Sequence, residues 1–73
     1  MKKYKNRLEV NHVCRIFDDS FVDNLSGRTF YYGVCIIKEI DTFIVAASIS
    51  TSDLREFSDW KDKQIENARI IGN

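Results

Sequence analysis

Residues 29–49 read TFYYGVCIIKEIDTFIVAASI, two runs of aromatic and β-branched residues separated by the short polar step Glu39-Ile40-Asp41. Such residues favour extended backbone, and two runs joined by a few polar positions predict a β-hairpin. Its strands cover about 29–38 and 42–49, and Leu25-Ser26-Gly27-Arg28 forms the turn that enters it. Side chains alternate across a strand, so Phe30, Tyr32, Val34 and Ile36 share one face of the first, and Phe43, Val45, Ala47 and Ile49 share one face of the second.

Downstream of the hairpin the period changes from two to 3.6. Thr51 or Ser52 offers a cap, and Asp53 and Glu56 place carboxylates in a first turn where the helix dipole favours them. No Pro or Gly intervenes before Gly72. Leu54, Phe57, Trp60, Ile65, Ala68 and Ile71 fall within one arc of about 140° on a helical projection. Charged residues fill the remainder, with Asp59 and Lys63 a favourable i,i+4 pair. The spacing predicts an amphipathic helix over 53–71, stopped by Gly72.

Upstream the pattern supports two readings. Val10, Val13, Cys14, Phe17, Phe21 and Leu25 make a helical stripe, while Leu8, Val10, His12, Cys14 and Ile16 alternate at period two. The residues are poor helix formers. Lys5 and Arg7 would also lie at the N-terminus of such a helix and Asp18, Asp19 and Asp23 toward its C-terminus, against the dipole. A strand over 8–17 followed by a loop at Asp18-Asp19-Ser20 is therefore preferred, with α-β-β-α as the alternative. The expected fold is α+β: a three-stranded antiparallel sheet carrying a C-terminal amphipathic helix, in the order β-β-β-α. That order is found in SH3-like and chromodomain-like modules with a C-terminal helix, a likeness of topology alone.

The composition agrees with one compact unit. The 73 residues contain 44% hydrophobic and 30% charged positions, three Gly and no Pro, which excludes a low-complexity tract or a Pro-rich ligand. A chain of this size fills one core, so residues 8–73 are read as a single domain. Residues 1–7 hold four cations and no acid, leaving seven cations against eleven acids in the rest. They read as a basic, frayed arm. Apolar runs fall short of the ~20 residues that span a bilayer, and no apolar stretch of signal-peptide length follows Met1-Lys2-Lys3. Cys14 and Cys35 lack a C-x-x-C spacing. Two reduced thiols in the cytoplasm and no membrane partner are the expectation.

No catalytic signature emerges. His12 and Cys14 share a strand face, as a nucleophile and base would, but no third group that would orient them can be read. His12, Cys14 and Cys35 are three metal ligands without paired spacing, where a zinc site uses four. Asp18, Asp19 and Asp23 lack the Gly and terminal Glu of a calcium loop, and Gly27 and Gly33 do not form a phosphate loop. The sequence predicts neither an enzyme nor a cofactor.

One feature exceeds what the fold requires. A helix covers one face of a sheet, and on the expectation that it covers the Phe30 and Phe43 faces, Tyr31, Cys35, Ile37 and Ile44 point away. A wet antiparallel face is normally polar, and this one is apolar. Either the sheet curls so that the N-terminal strand closes over it, or another surface covers it. The sequence therefore points to a small protein-interaction module, docking on a larger protein or on itself. Its candidate anchors are Tyr31, Ile37, Ile44, Trp60 and Ile70. The competing expectation is nucleic-acid binding, with Lys2, Lys3, Lys5 and Arg7 on phosphates and Arg28 with Tyr31 on bases or backbone.

Overall fold

The structure, a computed structural model, describes residues 4–72, and the statements below concern those residues. Lys2 and Lys3 of the basic arm lie outside them. The order is β1 (Asn6–Asn11), β2 (Cys14–Val22), β3 (Thr29–Glu39), β4 (Thr42–Thr51) and α1 (Leu54–Gly72). All neighbouring strands pair antiparallel in the spatial order β1-β2-β3-β4. The α+β class and the C-terminal helix are as expected, but the sheet has four strands, not three.

The additional strand comes from the segment read as one strand over 8–17, which folds back at His12-Val13. Asn11 makes that reversal possible, because its Oδ1 accepts the Val13 N–H at 3.0 Å, a local side-chain bond of the kind that competes with extended pairing. The pairing shifts register between Glu9 and Asn11. Asp18-Asp19-Ser20, expected as a loop, lies inside β2 and pairs with Gly33, Tyr32 and Tyr31. The α-β-β-α alternative is excluded because strands β1 and β2 occupy its first helix.

The sheet faces are also reversed relative to expectation. The helix covers the Tyr31, Gly33, Cys35 and Ile37 face of β3, and leaves Phe30, Tyr32, Val34 and Ile36 on the other. Residue size explains the choice. Cys14, Ile16, Cys35 and Ala68 form the buried cluster, with Val10, Ile37, Ala47, Trp60 and Ile65 packed around it. Gly33 leaves room for the Trp60 ring, which would sit 3.1 Å from a Cβ there. A helix approaches closely over such small residues, whereas Phe17, Tyr32 and Phe30 on the opposite face would hold it off. An irregularity in β4 completes the arrangement. Ala47 pairs with Cys35 and Val45 pairs with Ile36, so the extra residue Ala46 moves Ala47 to the helix side and leaves Phe43 and Val45 on the other.

The helix begins at Leu54. Asp53, not Thr51 or Ser52, caps it: Oδ1 accepts the Arg55 N–H at 2.9 Å and the Glu56 N–H at 3.3 Å. Thr51 Oγ1 in turn accepts the Asp53 N–H at 3.1 Å. On the inner side Phe57 stacks on Tyr31 at 5.5 Å and on Trp60 at 6.3 Å. Beside them Asp18, 4% exposed, accepts Lys61 Nζ at 3.0 Å and Asn6 Nδ2 at 2.9 Å. This buried carboxylate is satisfied by a cation from the helix and an amide from β1. The result is a two-layer slab with β1 and β4 as its edges, so strand pairing does not close the second face.

Candidate functional site

Every strand contributes to the uncovered side of the sheet. Register places Arg15, Phe17, Asp19 and Phe21 of β2 beside Ile36, Val34, Tyr32 and Phe30 of β3, and these beside Val45, Ser48 and Ser50 of β4. The aromatic rings are continuous. Phe21 stacks on Phe30 at 5.6 Å and lies 6.1 Å from Tyr32. Tyr4 folds over the same surface, 5.7 Å from Tyr32 and 6.0 Å from Phe17. Phe21 remains 53% exposed and Val45 64%. A shallow groove runs between Tyr4, Phe21 and Tyr32 on one side and Ser48 and Ser50 on the other.

The charges on this face are spent largely on one another. Arg15 lies across one end, its guanidinium 4.5 Å from the Phe43 ring centre and its Nε donating to Glu9 Oε1 at 3.1 Å. Arg7 sits 5.8 Å from the Phe17 ring and 3.8 Å from the same carboxylate. At the other end Asp19 accepts the Lys5 N–H at 3.2 Å and the Ser20 N–H at 2.7 Å. Burial pushes the Tyr32 phenol above its ordinary pKa, and the Asp19 carboxylate adds to the shift. The phenol therefore stays neutral at physiological pH.

The residues singled out from sequence do not gather at one place. Tyr31 is stacked beneath the helix on Phe57, and Ile37 and Trp60 pack against the core. Ile44 pairs with Ile37 and is 41% exposed at the rim of the covered face, while Ile70 points outward from the helix. Arg28 is exposed in the β2–β3 loop, where its carbonyl accepts the Asp23 N–H at 2.7 Å. There Asp23 organises the turn by accepting Ser26 Oγ at 2.7 Å and the Leu25 N–H, which hold its carboxyl below the ordinary value. His12 is exposed in the β1–β2 turn, and no group of three or more His, Cys, Asp or Glu among the described residues is placed to hold a metal ion.

The uncovered side of β3 carries Phe30, Tyr32, Val34 and Ile36, the set expected under the helix, with Phe17 and Phe21 of β2 and Val45 of β4 beside it. Phe17, Phe21 and Val45 were missed as surface groups. The available signal was size: the face of β3 with Gly33 and Cys35 is the one a helix can approach.

Cys14 and Cys35 meet under the helix with their sulfurs 3.5 Å apart, unbridged. Burial, reinforced by the hydrogen bond with Cys14, pushes the Cys35 thiol up to about 12. A thiol so protected is a core group rather than a nucleophile.

Comparison with models of known protein families, with curated proteins and with solved structures returned no match. No helix among the described residues is long and apolar enough to cross a membrane.

Proposed function

We propose that this chain is a non-catalytic protein-interaction module that docks through the uncovered sheet face. The observation that carries the reading is the row of rings Phe17, Tyr4, Tyr32, Phe21 and Phe30 with Val45 on the same face, where Phe21 and Val45 stay more than half exposed although the same chain buries Cys14 and Ile16 completely. Contiguous apolar surface of this kind marks association sites, and aromatic residues are frequent anchors in them. The unbridged thiols suit a reducing, cytoplasmic setting. The test is affinity capture by the full chain in the presence of nuclease, compared with Phe21→Glu and Val45→Arg. Both positions are exposed, so the variants are expected to fold and to lose the captured protein. Unchanged capture by both would remove the basis of the reading.

A second reading, nucleic-acid binding, is favoured by one observation: the Arg7 and Arg15 guanidinium groups lie over the Phe17 and Phe43 rings, and cation–aromatic surfaces can stack on bases. Against it, Glu9 engages both arginines. If it holds, binding to a single-stranded oligonucleotide falls steeply with salt and falls again in Arg15→Ala.

A further inference from the structure

We propose that the occupant of the open face is a second copy of this chain, packed sheet against sheet about a twofold axis. This rests on the interaction reading above and names its partner. Three observations lead to it.

The first is area. The backbone measures 43 × 27 × 15 Å, so the flat side has a footprint larger than the ~800 Å² that each partner contributes to an interface of standard size. A slab only 15 Å thick holds one sheet and one helix, and a second sheet about 10 Å away would turn its uncovered side into an interior.

The second is the smallness of the core. Only Cys14, Ile16, Cys35, Phe57 and Ala68 are buried apolar residues among those described. Domains of this size commonly gain the missing burial by oligomerisation. A requirement of folding needs an occupant present whenever the chain is made, and another copy meets that condition.

The third is charge. The end of the face near the β1–β2 and β3–β4 turns carries Arg15 and Lys38 against Glu9, Arg7 lies inboard of them over Phe17, and the opposite end carries Asp19 beside the Lys5 backbone. A twofold axis in the plane of the interface and perpendicular to the strands sets the Arg15 and Lys38 end of one copy over the Asp19 end of the other, on a face that mixes both signs. The surface is thus complementary to itself, whereas a strongly one-signed face would repel its own copy.

Sedimentation equilibrium of the full chain across the micromolar range tests this, with circular dichroism as the folding control. The expected result is a species of twice the chain mass whose unfolding temperature rises with concentration. Val45→Arg and Phe21→Glu each raise the dimer dissociation constant by about a hundredfold or more, as expected for a charge placed in an apolar interface. Ile70→Arg, on the outer side of the helix, leaves it unchanged. A wild-type chain that stays monomeric overturns the self-association. The interaction reading is then judged separately, by whether those two variants still lose their captured protein. A dimer that survives both substitutions also overturns the proposal, by placing the contact elsewhere.

Discussion

The Trp60 ring lies directly over Gly33, so close that a Cβ at that position would come within 3.1 Å of it, 3.3 Å of the Phe17 carbonyl oxygen and 3.4 Å of the Asp18 Cβ. The missing side chain in the middle of β3 is the socket that sets the height of the helix. Gly33→Val is expected to destabilise the fold by about 1–3 kcal/mol through overpacking. Trp60→Leu should recover part of that loss in the double variant, because the two residues share one contact. Urea unfolding of the four species measures the coupling, and strict additivity would show that the ring is not what fills the socket.

The Lys61–Asp18 pair makes a different demand. Asp18 is buried and Lys61 reaches it from the partly exposed edge of the helix. Lys61→Met leaves the buried Asp18 carboxylate with the Asn6 amide but no cation, and should cost about 1–3 kcal/mol. Asp18→Asn, which needs no cation, should cost less. A loss below about 0.5 kcal/mol for Lys61→Met, the size of an ordinary surface change, would show that solvent replaces the ammonium group.

Ile40 occupies the first position of the two-residue β3–β4 loop with φ 58°. It is 88% exposed, so burial does not offset the strain. A β-branched residue in the left-handed region is an outlier, and the penalty is about 1–2 kcal/mol. Ile40→Gly is expected to stabilise the protein by up to about 1 kcal/mol, since glycine's added freedom in the unfolded chain offsets part of the gain. Thermal unfolding checks this, and a lower melting temperature would mean that Ile40 makes contacts that outweigh its backbone strain.

Two groups predict an alkaline limit to stability. Cys35 is raised from 9.0 to about 12, and Tyr32 is raised from 10.0. In each case the unfolded chain loses its proton at lower pH than the folded one. Their contribution is complete below about pH 9 and declines as pH rises through 9 toward 12. Cys35→Ala should remove the onset near pH 9 and leave a decline that begins near 10. Denaturation series across this range decide it, and stability independent of pH above 9 would contradict both assignments.

How far the residues alone reveal this molecule depends on what local pattern encodes. The β3–β4 hairpin and the helix were legible because period two and period 3.6 are strong there, and both extend almost as read. The β1–β2 turn was not, because Asn11 closes it with one side-chain bond that leaves the alternation of Val10, His12 and Cys14 looking unbroken. Asp18 was hidden for another reason. Two adjacent aspartates resemble a solvated turn until Lys61, more than forty positions later, is brought beside one of them. The choice of sheet face depended on volume, with Gly33 and Cys35 admitting the helix, and hydrophobicity alone does not distinguish the two sides of β3.

The same Asn11 that turns β1 into β2 also donates from Nδ2 to the Ala68 carbonyl at 3.0 Å, against Gly72 where a larger residue would collide with it. One amide thereby latches the first hairpin to the last turn of the helix across 57 positions. The three hairpins need only neighbouring segments, whereas the latch must close a loop spanning most of the domain, and such closures come late. Until the helix docks, its own side of the meander is bare in addition to the face and the uncharged β4 edge that stay open in the finished fold, the interval in which strand-to-strand misassembly competes with folding. Loosening Asn11 would lengthen that interval and so lower the yield of folded protein, even where the finished fold is hardly weakened.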